Sequence, residues 1–218
     1  MNLKKIIILT IAMIPMLAIG QITHTAKGDI DKNAQNILKK ASGQYSKEAV
    51  RFDVTMVNYN TSKKETARKK ATVTYKAGAY HILFDDQELI SDGKSVWHWN
   101  KTSKEVVAST LSDKPDDVMN PALLLKNYEK QFKAKYIRTE ENGDAVIDLT
   151  PRKSMSYHKL RLIIVEKSGV VKKIEIHNYD GSRGEYLFAN YKSKVKTAES
   201  DFTFSVKQHP EVELIDMR

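Results

Sequence analysis

Residues 89–100 read LISDGKSVWHWN. Asp92-Gly93 is a hairpin turn signal, and the residues after it alternate in character. Successive side chains on a strand point to opposite faces, so Trp97 and Trp99 share one face while Val96 and His98 share the other. They are the only two tryptophans in the chain. The pair commits a large flat apolar area to one side of a sheet. That side is either a packed core or the wall of a ligand cavity, and alternation by itself leaves both open.

The same period of two extends outward from this hairpin. Val50, Phe52, Val54 and Met56 alternate with Arg51, Asp53 and Thr55. Ala71, Val73 and Tyr75 alternate with Thr72 and Thr74, and Tyr80, Ile82 and Phe84 alternate with His81 and Leu83. Further strands are expected at 105–109, 134–140, 145–150, 159–166, 170–179, 184–191 and 202–206, with turns at Asn142-Gly143, Ser168-Gly169 and Asp180-Gly181. Ahead of them Asp29 or Asp31 caps a helix, with Ile30, Ala34, Ile37, Leu38, Ala41 and Tyr45 on one face, ended by Ser42-Gly43. Pro121 suits a first helical position and opens a short helix over 122–132 containing Leu123, Leu124 and Leu125. The fold class is mainly β with helices (α+β): one antiparallel sheet of ten or eleven strands that curls on itself. Such a sheet either closes around its own side chains or leaves a cavity for an apolar ligand.

Residues 1–20 are expected to be an address rather than part of the fold. MNLKK is a positive region, IIILTIAMIPMLAI is apolar, and Ala18-Ile19-Gly20 supplies small residues before Gln21. This is a secretory signal peptide with expected cleavage after Gly20, leaving a single domain over 21–218 in the periplasm. Loss of Lys4 and Lys5 lowers the net charge from +9 to +7. That charge suits anionic membranes or acidic partners as well as a merely solubilising surface. With no cysteine, disulfides, thiol catalysis and a lipid-modified cysteine are excluded.

The search for chemistry returns little. The six histidines His24, His81, His98, His158, His177 and His209 make no metal-binding motif. There is no nucleophile elbow, no phosphate-binding glycine loop and no dinucleotide fingerprint. Acidic clusters at Asp85, Asp86 and Glu88 and at Asp113, Asp116 and Asp117 lack calcium-loop spacing. Basic runs at Lys63-Lys64, Arg68-Lys69-Lys70 and Lys172-Lys173 suit exposed strand ends, and an exported chain has little occasion to meet nucleic acid. No catalytic residue, metal or cofactor is expected.

The order of the motifs is more specific than any one of them. LISDGKSVWHWN is followed by EVVAST (105–110), NPALLL (120–125), VIDLTPRK (146–153), DFTFSV (201–206) and EVELID (211–216). In that order and spacing the chain resembles the periplasmic outer-membrane lipoprotein carrier family (LolA-type) over residues 29–216. The resemblance implies a half-open barrel of antiparallel strands closed by the N-terminal helix and a helical lid. It implies a carrier that takes lipid-modified proteins from an inner-membrane ABC transporter complex and delivers their acyl chains to an outer-membrane acceptor. It also implies a monomer with no catalytic step. A carrier or sensor of another lipid or lipopeptide of the envelope would use the same fold. The expected cavity lining is Phe52, Val54, Met56, Val73, Tyr75, Tyr80, Ile82, Trp97 and Trp99, and the lid candidates are Ile37, Leu38, Leu123, Leu124 and Leu125. Lys76 falls where the family often carries an arginine that helps to hold the lid, within Lys76-Ala77-Gly78-Ala79-Tyr80. Lysine keeps the charge but lacks the planar fork. On this reading the two indoles face the ligand, and their fluorescence shifts to the blue when an acyl chain binds.

Overall fold

A computed structural model of the chain describes residues 31–46, 48–111, 121–126 and 128–218. The leader segment, Asp29, Ile30 and the acidic cluster at Asp113, Asp116 and Asp117 lie outside the described residues. Helix α1 (Lys32–Ser46) is followed by strands β1 (Val50–Tyr59), β2 (Glu65–Lys76), β3 (Ala79–Leu83), β4 (Gln87–Ser91), β5 (Ser95–Asn100) and β6 (Glu105–Thr110). Helices α2 (Pro121–Lys126) and α3 (Tyr128–Gln131) lead into β7 (Phe132–Thr139), β8 (Asp144–Pro151), β9 (Tyr157–Val165), β10 (Val171–Asn178) and β11 (Arg183–Ser193). Two 3-10 turns, Glu199–Phe202 and Val206–Gln208, precede β12 (Glu213–Asp216).

The described strands form one open, curved sheet in the order β12-β6-β5-β4-β3-β2-β1-β11-β10-β9-β8-β7. Every pairing among them is antiparallel except β12 with β6. Residues directly opposite one another share a face, so the register can be followed across the sheet. On the concave side Ile147 (β8) faces Leu162 (β9), Leu162 faces Ile174 (β10), and Ile174 faces Tyr186 (β11). Tyr186 faces Met56 (β1), Phe52 faces Val73 (β2), and Val73 faces Ile82 (β3). One apolar layer therefore runs unbroken from β7 to β3. The opposite face of β8 to β11 is charged and paired: Arg161 grips Asp148 through two bonds of 2.7 and 2.9 Å, and Lys173 meets Glu175 at 2.6 Å.

Helix α1 covers this layer with Ala34, Ile37, Leu38, Ala41 and Tyr45, all buried at helical spacing. It runs on through Ser42 and Gly43 to Ser46, one turn past the expected stop, because burial of Tyr45 outweighs the weak helix propensity of glycine. Asp31 is the cap, its Oδ1 accepting from the N–H of Asn33 and Ala34. Its Oδ2 accepts from Tyr136 N–H of β7 at 2.9 Å, so one carboxylate both caps the helix and fastens it to the sheet edge. The Ala34 N–H, with those of Tyr136 and Asn33, holds the Asp31 carboxyl below the usual carboxylate range. Farther along, Gly169 in the β9–β10 turn lies against the backbone of α1, and a Cβ there would sit 3.0 Å from the Lys40 carbonyl oxygen. Its φ of +81° independently requires glycine. Lys40 Nζ donates to the Glu166 carbonyl at 3.0 Å, and the Tyr191 hydroxyl donates to the Gln44 carbonyl at 3.0 Å.

Three expectations need correction here. The helix expected over 122–132 is described as Pro121–Lys126 and Tyr128–Gln131, and it ends at Gln131 because Phe132 opens β7. Residues 202–206 are no strand: Phe202 ends the 3-10 turn Glu199–Phe202 and Val206 opens the next one, Val206–Gln208. The closing strand lies later, at β12, which pairs parallel to β6. Asp31→Ala is expected to cost about 1 kcal/mol, or about 2–4 °C in melting temperature. A depressed carboxyl contributes stability above its ordinary pKa of 3.8 and loses it as pH falls through the lower folded value. The melting temperatures of wild type and variant should therefore differ at pH 7 and converge in acid.

Candidate ligand-binding face

The register gathers seven of the nine expected lining residues on the concave side. Phe52, Val54, Val73, Tyr75, Tyr80 and Ile82 are buried, and Met56 is half-buried. Against them pack Ile37 and Leu38 of α1 and Leu124 and Leu125 of α2, all buried, with Leu123 half-buried. The two sets form one apolar cluster, so in this structure the face is covered by its own helices. An aromatic ridge marks the seam: Tyr45 meets Phe52 edge-on at 6.3 Å and Tyr191 at 5.9 Å, and Phe52 meets Phe188 at 5.6 Å. Burial pushes the Tyr45 phenol well above its ordinary range, so it stays neutral.

Trp97 and Trp99 are not part of this face. Tyr80 and Ile82 oppose Ser91 and Leu89, which in turn oppose Val96 and His98. The tryptophans instead oppose Ile90 and Glu88, on the convex side. The apolar side of the sheet thus changes over at β4. The concave positions of β5 carry exposed His98 and half-buried Asn100, while the convex ones form a second core of Ile90, Trp97, Val106 and Ala108. The C-terminal segment covers it. Val212 and Phe204 pack on it, Phe204 meets Trp99 at 5.4 Å, and His209 lies 4.6 Å from Trp99. Arg218 sits over Trp97 at 5.8 Å and Lys101 over Trp99 at 5.6 Å. The Trp99 Nε1 is buried with no hydrogen-bond partner among the described residues. Counting residues through the Asp92-Gly93 turn reveals the change of face, because Ser91 must oppose Val96.

Lys76 also lies off the concave face. It ends β2 on the face opposite Tyr75 and is exposed at the turn. Arg152, in the LTPR segment after β8, donates through Nε to the Glu129 and Phe132 carbonyls at 3.0 Å each. It thereby secures the end of α3, while Gln35 of α1 donates to Glu129 at 3.2 Å. Sequence reasoning passed over Arg152 because a lone arginine after a strand carries no signal until its carbonyl partners are known.

Residues 84–205 match the family model for the outer membrane lipoprotein carrier protein LolA. The chain belongs to the LolA family. The matched stretch begins just before β4 and takes in the tryptophan strand, α2, α3 and β7 to β11. An outer-membrane lipoprotein carrier protein of Pectobacterium atrosepticum is 30% identical over 121 residues, 56% of this chain and 57% of that protein. One from Yersinia pestis is 25% identical over 190 residues, covering 85% and 89%. The chain spans about 57% of the length of the first of these relatives. An uncharacterised conserved protein from Thermus thermophilus shares the fold, with a TM-score of 0.60 at 13% identity over 85% of this chain and 99% of that one. LolA is a family of carriers, named for binding and transport rather than for catalysis.

Two measurements check these placements. Phe204→Ala should shift tryptophan emission to the red and raise its quenching by iodide, whereas an acyl ligand should leave wild-type emission nearly unchanged. Arg152→Ala removes a charged donor from two carbonyls and should lower the melting temperature by about 3–6 °C, while Lys76→Ala should move it by less than about 1 °C.

Proposed function

We propose that the chain is a periplasmic carrier that holds the acyl chains of lipid-modified proteins against its concave face and moves them from the inner to the outer membrane. The observation that carries this reading is the unbroken apolar layer from β7 to β3, covered by separate helices instead of a second sheet. Family membership supports it. The physics is a matter of solvation. An acyl chain in water costs about 0.8 kcal/mol per methylene, so one chain of ~15 carbons costs on the order of 10 kcal/mol. A lipoprotein crosses an aqueous gap only with a partner that hides its chains.

In this reading α1 and α2 are the lid, and the chains take the place of Ile37, Leu38 and Leu124 against Phe52, Val73 and Ile82. Those helix residues substitute for the ligand in the empty carrier, so loading exchanges one apolar contact for another. The exchange keeps binding moderate, as handover requires. An inner-membrane ABC transporter complex loads the carrier and an outer-membrane acceptor unloads it, with the carrier acting as a monomer. The leader expected over residues 1–20 fits that location. No residue is assigned a chemical step.

Protein isolated from its native envelope should release lipoprotein or acyl lipid in mass spectrometry, and recovery of neither would overturn the carrier reading. Met56→Lys, at a half-buried concave position, should weaken loading of an acylated peptide about tenfold, or about 1.4 kcal/mol, without a comparable fall in melting temperature.

A further inference from the structure

At one end of the concave face a pocket of about 490 Å³ opens between β1, β9 and the β10–β11 turn. That volume is within the range of small-ligand sites. Gly184 lines it, an interior position of β11 that faces Asn58 on β1 and Ile176 on β10. Glycine weakens a strand and is kept where something must come close. Neither usual structural reason for glycine applies here. The φ of Gly184 lies outside the left-handed region, and a Cβ would meet Asn58 Oδ1 at 3.6 Å and Ile176 Cδ1 at 3.7 Å, ordinary contacts. The protein has room for a side chain at this position and leaves it empty.

The pocket is amphipathic. Its inner wall is Ile176, Tyr157 and Tyr186, which join the concave cluster, and Tyr186 faces Met56 across the β1–β11 pair. Its rim is neutral and polar, with Asn58, Asn60, Asn178 and Ser182. The Asn58 amide makes no hydrogen bond among the described residues, so it offers two donors and an acceptor. The one cation among the described rim residues is already matched, since Arg183 lies 3.1 Å from Glu185 and stacks over Tyr59 at 4.8 Å. A free carboxylate would find no unpaired charge on that rim. A group bearing carbonyls and joined to an acyl chain would find hydrogen bonds at the rim and an apolar exit toward Met56.

We infer that this pocket holds the neutral head of the acylated cargo, the ester and amide groups that join its acyl chains to the polypeptide. The inference rests on the carrier reading and adds a polar subsite to it. The test uses the full mature chain and three soluble probes: a peptide whose N-terminal cysteine carries an S-dioctanoylglyceryl group, dioctanoylglycerol, and octanoate. Each competes against a dansylated fatty acid. Wild type should bind the acylated peptide at least tenfold more tightly than octanoate. Gly184→Leu, which fills the pocket, should lose most of that advantage while octanoate binding stays within twofold, and Asn58→Leu should act in the same direction. Asn58 is exposed, so its variant carries the test if Gly184→Leu does not fold. Dioctanoylglycerol binding as tightly as the peptide assigns the recognition to the esters, and weaker binding assigns part of it to the peptide amides. If wild type prefers the acylated peptide and both variants keep that preference, the pocket is not the head-group site and the carrier reading stands. If wild type shows no preference over octanoate, the subsite is likewise excluded. If wild type binds none of the three probes, the carrier reading itself fails.

Discussion

The fold depends on one constraint: an apolar layer spread across a curved sheet has to be kept from water. Strand alternation and register make that layer continuous from β7 to β3. No second sheet faces it among the described residues, and the cover is α1 with α2. The cover is fastened unevenly. Polar ties join α1 to β7 through Asp31, to the β9–β10 turn through Lys40 and to β11 through Tyr191. Toward β1 the contact is aromatic, Tyr45 on Phe52. Hydrogen bonds are directional and hold a position, whereas apolar contacts are exchanged for others at little cost. On the proposed carrier function, the β1–β3 side is the one from which a ligand would displace the helix.

That uneven fastening adds to the carrier reading, which rests on the apolar layer and its helical cover. A tightly packed and uniformly bonded core resists invasion. A layer covered by a helix tied at one flank exchanges its cover for something of like polarity. Binding an acyl chain would need area and shape instead of a fixed set of reactive groups, so a carrier of this kind has no short motif by which a sequence reveals it.

Much of this was legible in the sequence. Period-two patterning identified the concave positions Phe52, Val54, Val73, Tyr75, Tyr80 and Ile82 because each strand is apolar on one face. Helical spacing identified the buried side of α1, and Asp31 was readable as a cap. What was hidden depended on partners. Alternation says which residues of one strand share a face but not which side of the sheet that face lies on, and so Trp97 and Trp99 were placed wrongly. Their true cover, Phe204, His209 and Val212, comes from a segment more than a hundred residues later in the chain. Arg152 stands against a carbonyl pair and Gly184 against an open pocket, neither of which has a sequence pattern.

The most direct measurement maps where an acyl chain sits. A diacylated cysteinyl peptide bearing a diazirine at the end of one acyl chain is loaded, irradiated, and its adducts are located by peptide mass spectrometry. Adducts on β1 to β3 and on α1, at residues such as Val54, Val73, Ile82 and Leu38, are the result this account predicts. Adducts concentrated on the convex side at Trp97, Trp99 and Phe204, with the concave face unlabelled, would contradict it.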